Sequence, residues 1–170
     1  MPRTDYSDFA CSVARSLEVM GQWWTPLILR DLYLGVDTFD ELVADLGISR
    51  SLLTRRLTDL VDDGLVRREV YGDRDDRYRY LLEPQGRDLI PILAALAAWG
   101  DRWQTPAGGP PLLFEHDGHE CVPTVGCSTC SEPVTVETLV PVPGPGARAA
   151  RGTAVVASRP LPDGAIARRS

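Results

Sequence analysis

The chain contains no lysine: its 18 basic residues are all arginine, set against 24 acidic ones for a net charge of −6. Any cationic contact it makes is therefore a guanidinium contact. The acidic balance argues against promiscuous affinity for nucleic acid, since phosphate neutralisation follows local Arg and Lys contacts. A local basic patch remains compatible with it. The amino-terminal stretch MPRTDYSDFA lacks the apolar core of a secretory signal, and the longest apolar run, LIPILAALAAW, is too short to span a bilayer. A cytoplasmic, non-membrane protein is expected. Histidine is scarce, with two in the chain. An enzyme needs a convergent nucleophile and base or an open metal site, and His116, His119 and Cys121 have no base-orienting partner, so no catalytic residue is expected.

What is present points elsewhere. In DTFDELVADLGISRSLLTRRLTDLVDDGLV, Thr38 and Glu41 have capping-box spacing, and Phe39, Leu42, Val43 and Leu46 recur at helical spacing before the stop at Gly47. Ser49 is placed to cap a second helix, with Ile48 and Leu53 as a hydrophobic staple. Leu53, Leu57, Leu60 and Val61 share one face of it. Ser51, Thr54, Arg55, Thr58 and Asp62 share the other, with Arg50 at the amino end and Arg56 nearer the scaffold. Two capped helices joined by a sharp turn form a helix-turn-helix, whose second helix enters the major groove. Arg forks onto guanine edges there, and Ser or Thr hydroxyls reach bases or phosphates.

After Gly64, LVRREVY alternates at the two-residue period of a half-buried strand, with Val66, Arg68 and Val70 on one side. GDRDD reads as a turn, and RYRYLL returns with Tyr78, Tyr80 and Leu82 together. The result is a wing, whose Arg74 and Arg77 can touch DNA while Asp73, Asp75 and Asp76 oppose phosphate. Upstream, CSVARSLEVMG places Ala10, Val13, Ala14, Leu17 and Met20 on one helix side, and Thr25 with Pro26 starts another helix ending at Gly35. Downstream, Pro84 opens a long helix to about Trp103, bent at Pro91, with Leu89, Leu93, Leu96, Trp99 and Trp103 as an apolar stripe. A domain of about 105 residues cannot easily bury that stripe, the first helix and the Trp23–Trp24 pair in one core. A C2 homodimer built from the first and last helices, matched to two half-sites of a double-stranded DNA operator, is expected.

Across roughly residues 8 to 103, CSVARSLEVMGQWWTPLILRDLYLG, FDELVADLGISRSLLTRRLTDLVDDGLV and YRYLLEPQGRDLIPILAALAAWG together resemble the HxlR-type family of bacterial winged-helix transcription regulators. The resemblance implies a dimeric DNA-binding regulator, commonly a repressor controlled by small electrophiles, oxidants or metabolites, with its reading helix on residues 49 to 62. It also implies departures: Asp75 and Asp76 replace a Pro-Pro pair in the wing, and Glu83 stands where a Thr caps the last helix.

Four cysteines in a cytoplasmic chain argue for free thiols, metal binding or redox chemistry before structural disulfides. Cys11 falls near the amino end of the first helix, one turn before Arg15, and both favour the thiolate. The family resemblance adds that several members sense oxidants or electrophiles through a cysteine at this position. The bland alternative is a small buried hydrophobe at a dimer contact.

The expected fold is α+β and mainly helical: a winged helix-turn-helix domain over 1–104, a TPAGGPP linker over 105–111, and a small β-rich Cys/His module over 112–140. A basic tail over 141–170 follows. Strands are expected around Leu112–Phe114 and Val134–Val140. Cys127 and Cys130 form a Cys-x-x-Cys knuckle that Cys121 with His119 or His116 could complete as a Zn2+ site; free or reversibly oxidised thiols are the alternative. The tail sets five arginines against the lone Asp163 and reads as a disordered terminus, or as a source of sequence-blind DNA affinity. The rival to a regulator is a winged-helix protein-interaction module without DNA binding, which should show large apolar residues on the outer face of 50 to 58.

Overall fold

A computed structural model of the chain describes Tyr6 and residues 8–72, 77–142 and 144–146. Asp73, Arg74, Asp75 and Asp76 at the wing tip, and the basic tail from residue 147, lie outside the described residues. The chain divides into two compact units, Gln22–Thr124 and Met1–Gly21 with Val125–Ser170.

Within the second of these, α1 spans Ser12–Met20 with Cys11 at its N-cap. Of the apolar side expected for this helix, Ala14 is buried, whereas Val13 and Leu17 are exposed at 69% and 46%.

The Gln22–Thr124 unit runs α2 (Thr25–Tyr33), α3 (Phe39–Leu46), α4 (Arg50–Asp62), β1 (Val66–Val70), β2 (Tyr78–Leu82), α5 (Pro84–Arg87), α6 (Ile90–Trp103), β3 (Phe114–His116) and β4 (His119–Cys121). It is a winged helix-turn-helix of the α+β, mainly helical class. Its core is aliphatic: Ile28 and Leu29 of α2 are buried, as are Leu42, Ile48, Leu53, Leu57, Leu60, Leu65, Val66 and Leu82. Each such side chain contributes about 1.5–3 kcal/mol by leaving water. α2 lies centrally, packing on α3, β2 and α6.

Local signals account for the α3–α4 pair. Thr38 and Glu41 form the capping box, the Glu41 carboxylate accepting from the Thr38 N–H at 3.3 Å, and Gly47 stops α3 in the left-handed conformation at φ +63°. Ser49 occupies the N-cap of α4 but makes no side-chain capping bond. Burial of Ile48 (3% exposed) and Leu53 (0%) anchors this end instead. Val61, expected inside, is 37% exposed.

β1 and β2 pair antiparallel, from Val66 opposite Leu82 to Val70 opposite Tyr78. The strict alternation expected of β1 does not hold: Leu65 and Val66 are both buried and Val70 is exposed, because only the base of the hairpin lies against the helices. A third segment joins the sheet, since Thr38 bridges Arg79 and the Tyr80 N–H donates to the Asp37 carbonyl at 2.8 Å.

The single long helix expected after the wing is two helices. Proline cannot donate to the carbonyl four residues back and its ring clashes there, so the chain ends α5 and restarts, with Pro91 inside the first turn of α6 rather than at a bend. Gly86 in α5 is required by packing, because a Cβ there would stand 2.3 Å from the Leu65 carbonyl oxygen, which already accepts from the Glu83 N–H at 2.9 Å.

β3 and β4 form a hairpin whose turn residues Asp117 and Gly118 both have positive φ, +49° and +82°, the type I′ geometry that suits strand twist. The strand expected at Leu112–Phe114 thus begins only at Phe114. The strand expected at Val134–Val140 is a turn: the Thr135 N–H donates to the Thr138 hydroxyl at 3.0 Å and the Leu139 N–H to the Thr135 carbonyl at 2.9 Å. Local side-chain bonding of this kind competes with a strand ladder. Among the described residues no helix is long and apolar enough to cross a membrane.

Candidate nucleic-acid interface

The burial of Leu53, Leu57 and Leu60 turns the opposite side of α4 to solvent, and Arg50, Ser51, Thr54, Arg55, Thr58 and Asp62 are all exposed there, as is Ser49 at its start. The Thr54 hydroxyl donates to the Arg50 carbonyl at 2.9 Å and the Thr58 hydroxyl to the Thr54 carbonyl at 3.0 Å. Both oxygens therefore keep lone pairs facing outward as acceptors. Arg56 is half-buried and pairs with Asp59 at 3.0 Å. Arg55 makes no ion pair among the described residues.

Arg50 is held differently. Its Nη1 lies 2.7 Å from Asp40 Oδ1, and its guanidinium stands 4.8 Å from the centre of the Phe39 ring. Across a polar concavity of about 440 Å³ it faces Arg77, with Tyr71, Tyr78 and Tyr80 completing the wall. The fold thus brings together the amino end of the second helix and the wing, two places named separately from sequence. It also adds the three phenols and Asp40, which the sequence reading did not assign to the interface. The tyrosine alternation was visible, but assigning it to this wall required the register of the hairpin.

The other described wing arginines each have a partner. Arg79 meets Glu69 at 2.6 Å, Arg67 reaches Glu69 at 3.2 Å and Glu83 at 3.4 Å, and Arg68 lies over the Tyr78 ring at 4.1 Å. Hydrogen bonds from Arg79 and then Arg67 hold the Glu69 carboxyl below its ordinary range. Burial pushes the Tyr80 phenol upward.

Beneath the interface, Arg30 bonds to Asp31 and reaches Asp45 on α3 at 3.5 Å. Asp31 is 1% exposed and its Oδ2 has no hydrogen-bond partner among the described residues. Desolvation raises its pKa, opposed by the hydrogen bond and charge of Arg30.

α6 buries none of its residues within the chain. Ile92, Leu96, Trp99 and Trp103 are exposed at 59%, 55%, 56% and 60%, one helical stripe by spacing. Of the stripe expected from sequence, Leu89 and Leu93 are instead half-buried. Leu93 and Ala97 line an apolar groove of about 400 Å³ against Leu27 and Tyr33 of α2, with Leu112 and Phe114 at its edge.

All four thiols are free. Cys11 is half-buried, its carbonyl accepting from the Arg15 N–H at 3.0 Å, while the Arg15 Nε donates to the Phe9 carbonyl at 3.2 Å. His119 and Cys121 lie in β4, with Cys121 opposite Phe114 and the His119 ring edge-on to His116 at 5.9 Å. Cys127 and Cys130 belong to the other unit. Among the described residues no group of three or more His, Cys, Asp or Glu side chains is found that could hold a metal ion.

A model of the family described as HxlR-like helix-turn-helix matches residues 19–107. An uncharacterized HTH-type transcriptional regulator of Mycobacterium tuberculosis, Rv3095, is 40% identical over 140 residues, covering 81% of this chain and 89% of that protein. The similarity therefore extends past the winged region. The solved structure of the candidate transcription factor PA1607 matches with a TM-score of 0.68 at 29% identity, over 80% of this chain and 96% of that one. The redox regulator HypR in its reduced form matches with a TM-score of 0.51 at 30% identity, over 55% of this chain and 94% of that one.

Proposed function

Because the chain belongs to the HxlR-like helix-turn-helix family and is a DNA-binding transcription regulator, we propose that it works as a repressor. In this reading a homodimer lays α4 in the major groove of two operator half-sites and lets go in response to a small electrophile, oxidant or metabolite. Arg55 forks onto a guanine edge, Ser49, Ser51, Thr54 and Thr58 reach bases or phosphates, and Arg50, Arg77 and the wing-tip Arg74 follow the backbone.

The observation that carries this reading is the exposed polar face of α4, with Arg55 unpaired among the described residues and Arg50 and Arg77 lining one concavity at the helix's amino end. A protein-interaction module would present large apolar side chains there, and α4 exposes Val61 alone among them. The homodimer is supported by the α6 stripe, which a second copy covers through a two-fold axis matching two half-sites. The α2–α6 groove has the volume of a small-molecule site. With Arg30 committed to Asp31 and Asp45, it suits an uncharged, largely apolar effector. Cys11 is the proposed thiol sensor, supported by its helix-terminal position and by the similarity to a redox regulator.

Fluorescence anisotropy with duplexes tiled across the promoter region upstream of the chain's own gene tests the assignment. A dimer that prefers an inverted repeat over a scrambled duplex at physiological salt is expected. Equal affinity for both duplexes overturns it.

A further inference from the structure

Operator reading leaves one pair of side chains unused. Around the Cys-x-x-Cys sequence the backbone is pinched by three hydrogen bonds: Val134 N–H to the Val125 carbonyl at 2.8 Å, Cys127 N–H to the Glu132 carbonyl at 2.9 Å, and Ser131 N–H to the Cys127 carbonyl at 2.8 Å. Gly126 bridges Pro133, and Ser131 takes the left-handed conformation at φ +62°. The Ser131 bond closes a single α-type turn over residues 127–131. In such a turn residues three apart stand about 5–6 Å between Cβ atoms, and a disulfide requires roughly 3.5–4.5 Å. A rotation of the two side chains with a small tightening of the turn closes that gap.

The backbone N–H groups of Thr129 and Cys130, and after them the Cys130 side chain, favour the Cys127 thiolate and lower this thiol below its ordinary range. Cys127 is half-buried and Cys130 exposed, so both are reachable from solvent. No third ligand accompanies them among the described residues.

We propose that Cys127 and Cys130 are a dithiol that closes into an intrachain disulfide when an organic hydroperoxide reaches it, with Cys127 as the attacking thiolate and Cys130 as the resolving thiol. The Cys127 thiolate displaces alkoxide from the peroxide oxygen, forming a sulfenic acid, and the alkoxide takes a proton to leave as the alcohol. The Cys130 sulfur then attacks the Cys127 sulfur, the S–O bond breaks, and water leaves with the Cys130 proton. Two thiols are oxidised and one hydroperoxide is reduced. This site is separate from Cys11 and does not depend on the assignment of the operator-reading residues.

The test uses the full chain carrying Cys11→Ser and Cys121→Ser. Treatment with cumene hydroperoxide should remove both remaining titratable thiols. The chain should run as a monomer on a non-reducing denaturing gel, its mass should fall by two hydrogens, and dithiothreitol should restore it. Adding Cys130→Ser should leave a sulfenic acid on Cys127 that dimedone traps. Adding Cys127→Ser instead should leave Cys130 mostly unreacted over the same time. Peptide mapping of the unsubstituted protein gives the same answer without relying on any variant: residues 127 and 130 should be joined within one peptide. Retention of both thiols, linkage only between chains, faster dimedone capture at Cys130, or about one equivalent of zinc in reduced untagged protein overturns the proposal.

Discussion

Asp40 Oδ1 on α3 holds Arg50 Nη1 on α4 at 2.7 Å, with both side chains largely exposed. An exposed pair of this kind adds at most about 1 kcal/mol to stability. In the proposed complex, Asp40 competes with phosphate for Arg50 and repels phosphate itself. Asp40→Asn is expected to strengthen binding to operator and unrelated duplex alike with thermal stability unchanged. Anisotropy on both duplexes measures this, and a selective loss on the operator would show that Asp40 instead orients Arg50 for a base.

Arg55 and Arg50 differ in role in the proposed complex. Arg55→Ala should cost about 1–3 kcal/mol on the operator and relax preference at one base pair per half-site, whereas Arg50→Ala should weaken all duplexes and flatten the salt dependence. Unchanged affinity and base preference in both variants, with the protein folded and dimeric, would falsify this choice of reading face.

Placing a charge in the exposed stripe of α6 should break the proposed dimer. Leu96→Arg is expected to give a folded monomer by sedimentation, because the residue is 55% exposed in the protomer and its loss leaves no hole there. Operator affinity should fall with dimerisation. A variant that still sediments as a dimer moves the interface elsewhere.

Cys11→Ser should retain operator binding in diamide while the parent protein loses it. If the serine variant is released just as readily, the sensor is another thiol, and Cys127 with Cys130 becomes the pair to test.

Asp31 couples the scaffold to pH. Its folded pKa is raised above 3.8 by burial, so folding favours the protonated form. That contribution is fully present at low pH and is lost as pH rises through the raised value. Asp31→Asn should therefore stabilise the protein near neutrality, by about 1 kcal/mol, with the gain shrinking as pH falls towards 4. Urea unfolding of both proteins across that range decides it; parallel curves remove Asp31 as the cause.

The helices of the reading motif were legible because their determinants are local. Thr38, Glu41 and Gly47 lie within one helix length, and the period of Leu53, Leu57 and Leu60 is the helix's own. The Asp117–Gly118 pair carries an equally local signal, that of a two-residue type I′ turn. The break before α6 could also have been read from Pro91, since proline is at ease in a first turn and not in an interior.

By itself, the sequence determined which segments become helices and which side of α4 is polar, since capping, periodicity and turn chemistry act between residues a few positions apart. Tertiary structure alone decided which arginines stay unpaired. Arg50 finds Asp40, Arg79 finds Glu69 and Arg67 finds Glu83 across gaps of ten to sixteen residues, while Arg55 finds no ion-pair partner among the described residues. It likewise decided that Val61 and Val70 face solvent and that α6 keeps an exposed apolar stripe at Ile92, Leu96, Trp99 and Trp103. Charge pairing and burial depend on distances through space, which the folded arrangement of α2, α3, α4 and the wing sets and no local pattern contains.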